Sequence, residues 1–417
     1  MEILELVSIK TTGKTFNDQF IENALDIPSA FYDLPFWFAL IIVAIVFLVV
    51  VFSFNNFIFR LTFSLFFFSM LFFFVFSLKK ALIISRAFLP VSIDPYKTPD
   101  AQFFKDLSRY YYSDLTFKAP SKKKNLFVLI LESFELENLG TYNKKLPNLM
   151  PYLSSLAKNT TIFDHIETQP YTTESIASTL CTFCGFPYVK RRCKFHRNRQ
   201  FRCFHDFLSK AGYNNYMVGT FKYRNDNIFD FFRKRGYKVF DRTDHKQQND
   251  QDTFKWIEST FFKFLEAHQP FNFVQYTTNT HWGKYLLLCP KEYHKYKEIY
   301  YNEFECVDLS LKRLFTAFSK TSFYNSTEII IYGDHSRTYR VHEPSQSIIL
   351  PKHKWGNLSW KINYYDFSHL VFHLLNISIE PFFIYGDDPF SPNYQFKVPT
   401  PEQATYLTNS FNAKIYF

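Results

Sequence analysis

Three widely separated stretches close a short apolar run on residues that can bind a cation or move a proton. In "STEIIIYGDHSRTYRVHEP" the run 329–332 meets Gly333 and then sets Asp334 beside His335. In "LFVLILES" the run ends on Glu132, and in "FNFVQYTTNTHWG" it ends on Thr280 and His281. Short Ile- and Phe-rich runs closed by turn residues read as buried strands, and in open α/β sheets ligands bind where the C-terminal ends of the strands open into loops. Two carboxylates and an imidazole form a mixed oxygen and nitrogen donor set appropriate to zinc or manganese. Taken singly, each has an ordinary alternative: a turn-capping Asp with an unrelated His, or a carboxylate at the start of a loop.

A nucleophile would complete such a site. In "QPYTTESIASTLCTFCGFP", Thr172 and Thr173 stand immediately before a segment of small and apolar residues that can be helical to about Cys181. A hydroxyl at a helix start lies beside free backbone N–H groups and the positive end of the dipole, where a phosphate or sulfate ester would be held. Threonine is a poor nucleophile at neutral pH, and contact with a divalent cation removes that difficulty. Either threonine serves equally at this level, and either is also an ordinary cap.

The elements that must position these groups alternate. Strands are expected over 125–131, 216–219, 237–240, 271–276 and 328–332. Helices are expected over 148–158, 172–181, 201–211, 228–235, 252–267 and 303–319. This alternation predicts an α/β domain with a largely parallel sheet over 125–417. Ahead of it, 1–34 form an N-terminal segment, 35–80 a transmembrane helical hairpin, and 81–124 a connector, partly helical near 100–112. The hairpin rests on the uncharged run 35–54, "PFWFALIIVAIVFLVVVFSF", and on the second run, 61–78. All six cysteines follow the hairpin, and Asn159, Asn325, Asn357 and Asn376 each begin an N-x-S/T sequon, which suits an extracellular or luminal domain. Lys79, Lys80 and Arg86 oppose that orientation, since basic residues favour the cytoplasmic side. Pairings considered are Cys181 with Cys184, Cys193 with Cys203, and Cys289 with Cys306.

The net charge of +10 suits a negatively charged surface. "KRRCKFHRNRQFR", 190–202, holds seven Lys and Arg and no acid, and reads either as a patch for anionic lipid or as a solvated loop. Nucleic acid is not expected as a partner, because no recognition fold accompanies the run.

The motifs "LILESFELENLG", the Thr-rich helix start with "CGFP", "FLSKAGYNNYMVGTFKYRNDNIFDFFRKRGYKVFD", "TTNTHWGKYLLLCP" and "YGDHSR" resemble the bacterial phosphoglycerol transferases, in the same order and with similar gaps, from Asn125 to His342. Lipoteichoic acid synthases and phosphoethanolamine transferases are relatives, all within the alkaline phosphatase and sulfatase superfamily. The resemblance implies an alkaline phosphatase/sulfatase-like α/β fold. It implies Glu132, Thr172, Asp334 and His335 as metal ligands, with Mn2+ or Zn2+ as the ion and Mg2+ as a further option. Thr172 would be the nucleophile, with Thr173 as the alternative. His281 would contact the phosphoryl group or protonate the leaving oxygen, with His342 and Arg224 as further substrate-binding residues. The implied activity moves a phosphoglycerol or phosphoethanolamine group from a phospholipid donor to a glycan or lipid-linked acceptor at a membrane. A phosphodiesterase or phosphatase, and a catalytically silent ectodomain, are the rival readings. Two departures stand out: relatives commonly have five membrane helices where this chain shows two apolar runs, and the C-x-P-x-R type motif of type I sulfatases is missing.

Overall fold

The computed structural model describes residues 116–143, 147–167, 172–181, 203–219, 228–242, 249–281, 295–297, 299–336, 344–358, 362–379 and 386–397, with 400 and 403. The expected membrane hairpin, the helix near 100–112, the basic run 190–202, Arg224 and His342 lie outside these residues. Among the described residues no helix is long and apolar enough to cross a membrane.

In chain order the strands are β1 (Phe117–Lys118), β2 (Asn125–Leu131), β3 (Thr161–Glu167), β4 (Asn214–Gly219), β5 (Lys238–Asp241), β6 (Phe271–Tyr276), β7 (Thr327–Gly333), β8 (Pro344–Leu350), β9 (Asn357–Leu358) and β10 (Ser378–Ile379). The helices are α1 (Pro151–Asn159), α2 (Thr172–Cys181), α3 (Phe204–Lys210), α4 (Ile228–Lys234), α5 (Asp250–Trp256), α6 (Phe262–Glu266), α7 (Ile299–Phe318) and α8 (Phe367–Leu374). A π-turn, Ile257–Phe261, joins α5 to α6, so the single helix expected over 252–267 is continuous but locally underwound, with the wider turn of i→i+5 hydrogen bonds.

Eight strands form the main sheet in the order β5-β4-β6-β2-β7-β8-β3-β9. Neighbours from β5 to β7 are parallel, whereas β8 runs antiparallel to both β7 and β3. The sheet is therefore mostly parallel, as expected, with one reversed strand. β1 and β10 pair separately.

A central parallel strand is covered on both faces, so its residues are apolar throughout rather than alternating. Every residue of β2 and β7 is buried. Leu126, Val128 and Ile130 of β2, with Val274, Tyr276, Ile330 and Tyr332, pack beneath α2, α3, α4 and α8. Phe127, Leu129 and Leu131, with Phe271, Phe273, Ile329 and Ile331, pack beneath α1, α5, α6 and α7. The aromatic richness of the chain fills this second layer. Phe127 stacks on Phe273 with ring centroids 4.7 Å apart and meets Phe318 edge-on at 5.5 Å. Each such ring contributes about 1.5–3 kcal/mol by leaving water.

Candidate metal and nucleophile site

The parallel run of the sheet brings the C-terminal ends of β6, β2 and β7 side by side. Ile130 pairs with Tyr276 on one side and with Tyr332 on the other. The next residues of each chain therefore emerge together at one edge.

Backbone hydrogen bonds continue past the strand ends and stitch the three loops. Thr277 N–H donates to the Ile130 carbonyl at 3.0 Å, and Asp334 N–H to the Leu131 carbonyl at 3.1 Å. Glu132 N–H donates to Thr277 Oγ1 at 3.0 Å. Ser133 turns the chain out of β2 with φ +51°, a conformation few side chains adopt, and its N–H donates to Asp334 Oδ1 at 2.8 Å. Asp250, at the start of α5, clamps the third loop: its carboxylate accepts the Thr278 N–H at 3.0 Å and the Asn279 N–H at 2.8 Å, while Asn279 Oδ1 accepts the Asp250 N–H.

Four side chains sequence reasoning singled out meet at this edge. His335 Nε2 lies 3.3 Å from Glu132 Oε1, 3.5 Å from Asp334 Oδ2 and 3.1 Å from Thr172 Oγ1. Glu132, Asp334 and His335 are buried at 3%, 0% and 4% exposure, and one donor atom from each lies within 4.8 Å of the others. Thr172 is the first residue of α2, half-buried, with its hydroxyl facing the cluster. Thr173 instead donates its hydroxyl hydrogen to Glu174 Oε2 at 2.6 Å. One residue along a helix is a rotation of about 100°, which separates the two threonines. His281 follows β6 in the same loop system, near enough for its charge to act on Glu132.

The electrostatics are those of a crowded anionic pocket. Burial by itself raises Glu132, but the hydrogen bond and charge of His335, with help from His281 and Tyr276, hold it well below the usual carboxylate range. Burial and the Glu132 charge push Asp334 up to about 7. Burial lowers His335, yet Asp334 and Glu132 outweigh it and raise the imidazole to about 10. Two carboxylates thus share one imidazolium, leaving an excess negative charge in a dry pocket.

That environment fits a divalent cation. Asp334 Oδ1 is spent on the Ser133 and His335 N–H groups, at 2.8 and 2.7 Å, so Oδ2 is the oxygen turned to the cluster. His335 Nδ1 donates to the Ser336 carbonyl at 3.0 Å, so Nε2, which faces the two acids and Thr172, is the nitrogen that would give up its proton to an ion, a common arrangement around ligating histidines. A second cluster, Cys203, His205 and Asp206, does not fit, because the Cys203 sulfur is in a disulfide.

Two residues of this edge escaped sequence reasoning. Tyr276, the last residue of β6, reaches over from the α2 face with its hydroxyl against Glu132, Asp334 and Thr172. Asp250 lies 30 positions before Thr280 and shows no local motif. Neither had a signal short of knowing the strand register. The disulfide is also a correction: Cys181 pairs with Cys203, not with Cys184, and Cys203 is therefore not available to Cys193. Cys181 ends α2 and Cys203 caps α3, and the packing of those two helices brings the sulfurs together.

The Sulfatase family profile matches residues 124–360. No curated protein sequence matches the chain. Among solved structures, a protein in the alkaline phosphatase superfamily from Vibrio parahaemolyticus superposes with a TM-score of 0.56 at 18% identity, over 72% of this chain and 80% of that one. The lipoteichoic acid synthase LtaP from Listeria monocytogenes superposes with a TM-score of 0.54 at 15% identity, over 68% and 80%. At these identities the likeness is one of fold.

Proposed function

The chain belongs to the Sulfatase family, and from that premise we propose that it is a metal-dependent transferase. It moves a phosphoglycerol or phosphoethanolamine group from a phospholipid to a hydroxyl of a glycan or lipid-linked acceptor, through a phosphothreonine at position 172. The observation that carries this reading is the Thr172 hydroxyl, at a helix start, 3.1 Å from His335 Nε2 and flanked by two buried carboxylates. The structural likeness to a lipoteichoic acid synthase supports the same reaction class.

Glu132, Asp334, His335 and Thr172 would hold one divalent ion, with zinc or manganese suited to the mixed donor set and magnesium less so. Such an ion supplies Lewis-acid charge to a phosphoryl oxygen and makes a threonine hydroxyl easier to deprotonate. In the first half-reaction a bond forms from Thr172 Oγ1 to phosphorus and the bond from phosphorus to the lipid alcohol oxygen breaks. The net proton movement is from Thr172 to the departing alcohol, with His281 as the donor to the leaving oxygen. In the second half-reaction the acceptor hydroxyl gives its proton to His281 as its oxygen bonds phosphorus, the bond from phosphorus to Thr172 Oγ1 breaks, and Oγ1 takes back the proton it released in the first half-reaction. The backbone N–H groups opening the ten-residue α2 face the phosphoryl oxygens and stabilise their charge. His342 and Arg224 are assigned to substrate binding.

We place the catalytic domain outside the cytosol, anchored by the apolar runs at 35–54 and 61–78. The Cys181–Cys203 disulfide supports an oxidising compartment. Mass spectrometry after incubation with phospholipid vesicles tests the mechanism. A phosphoryl adduct is expected on Thr172, lost in Thr172→Ala and retained in Thr173→Ala. Full transfer activity in Thr172→Ala would overturn the covalent route, and adduct decay without any glycan acceptor would make the enzyme a hydrolase.

A further inference from the structure

We propose that Tyr276 is a positioning residue for the ion site: its hydroxyl ties the outer oxygens of Glu132 and Asp334 together and holds them facing Thr172. This rests on the ion site proposed above and adds a residue that no motif contains.

The geometry is specific to one atom. The Tyr276 hydroxyl donates to Glu132 Oε2, lies 2.8 Å from Asp334 Oδ2, and lies 3.4 Å from Thr172 Oγ1. A phenol carries one proton, so that hydrogen bond is shared among three oxygens rather than made to each. The other oxygen of each carboxylate is already engaged: Glu132 Oε1 accepts from Ser133 Oγ at 2.7 Å, and Asp334 Oδ1 accepts two backbone N–H groups. His335 Nε2 spans Glu132 Oε1 and Asp334 Oδ2, and Tyr276 adds the second link, from Glu132 Oε2 to Asp334 Oδ2. Without it, Glu132 Oε2 loses its tie to Asp334, and His335 Nε2 is left to hold the two acids together.

The placement follows from the fold. Tyr276 is fully buried, and alternation along β6 puts it with Val274 on the face that α2 covers. Its ring spans the gap between strand and edge, which only an aromatic carrying a terminal hydroxyl can do while staying in the core. Phenylalanine keeps the ring and the packing and removes the one polar atom.

Groups that orient metal ligands typically change affinity 10–100-fold when removed. The test is isothermal titration of Mn2+, and separately Zn2+, into wild type, Tyr276→Phe and Tyr332→Phe. Tyr332 is the control: it is equally buried in the same core, and its hydroxyl bonds Thr179 Oγ1 at 2.9 Å rather than a carboxylate of the cluster. Expected is ion binding about 10–100-fold weaker in Tyr276→Phe and unchanged in Tyr332→Phe. Near-ultraviolet circular dichroism confirms that both variants are folded. Wild-type affinity in Tyr276→Phe overturns the assignment of Tyr276 and leaves the ion site standing. Equal losses in both variants overturn it too, because they report core damage. A wild-type protein that binds neither ion removes the site and this proposal together.

Discussion

Asp334→Asn should stabilise the metal-free domain while destroying the site. Burial and the neighbouring Glu132 carboxylate raise Asp334 from 3.8 to about 7. Because the folded value lies above the unfolded one, the favourable contribution is complete below 3.8 and lost as pH rises through 7. A rise of roughly three pH units at about 1.4 kcal/mol each sets an upper bound of about 4 kcal/mol on the stability forfeited at pH 8. Asparagine is neutral and nearly the same shape, and its carbonyl oxygen can still accept the Ser133 and His335 N–H groups that Oδ1 accepts now. At pH 8 in chelator the variant should melt several degrees above wild type, since 1 kcal/mol moves a domain of this size by about 2–4 °C. Near pH 5 the difference should shrink. Added Mn2+ or Zn2+ should raise the melting temperature of wild type only, by mass action. A variant that melts at or below wild type in chelator at pH 8 would refute the picture of two repelling carboxylates held apart from water.

The remaining expectations concern the supports of the site. His205 is fully buried, and burial holds it down to about 4, so its share of stability is present above 6.5 and lost as pH falls toward 4. Acid unfolding should cost about 3 kcal/mol from this group, and His205→Phe should flatten the stability profile between pH 6.5 and 4 in chemical denaturation. Replacing Cys181 and Cys203 together by Ser removes a cross-link between residues 22 apart in sequence, which should lower stability by about 3 kcal/mol at the denaturant midpoint. Asp250→Ala strips the acceptors from the Thr278 and Asn279 N–H groups, at about 1–3 kcal/mol for each buried donor left unmet. Thermal melts should record that loss, and transfer assays should show a fall in kcat through the loosened His281 loop.

The strands that carry the site were legible because central parallel strands are apolar throughout. The expected 125–131 and 271–276 match β2 and β6 residue for residue, and 328–332 falls within β7. The strands on the far side of β7 were not. β3 reads "TIFDHIE" and β8 reads "PSQSIIL", each mixing polar with apolar residues without a sustained period of two. Their pairing is set by contact between residues 177 to 189 positions apart, and it includes shifts of register. Glu132, Asp334 and His335 were visible because each stands within three residues of the end of an apolar run. Tyr276 was not, because it lies inside such a run, where an aromatic is expected for packing alone. The disulfide failed for a related reason: C-x2-C spacing is a local signal, whereas the observed partner was chosen by helix packing.

The cluster depends on register more than on any single contact. Ile130 faces Tyr276 on one side and Tyr332 on the other, and Leu131 faces Gly333. Glu132 and Asp334 therefore leave the sheet at the same level, which is why the Ser133 N–H can reach Asp334 Oδ1. Moving β6 by one residue against β2 would turn Tyr276 to the opposite face, since side chains alternate along a strand. Its place on the site face would pass to Gln275 or Thr277, whose side chains are too short to reach both acids. The same slip would put Val274 against Phe127 in place of the Phe273 ring and Phe273 beneath α2, mismatching both layers of the core. Hydrophobic packing on two faces thus fixes, to within one residue, the polar geometry at the edge. The unusual weight of aromatic side chains in this domain makes that lock strict, because large rings tolerate exchange between layers least.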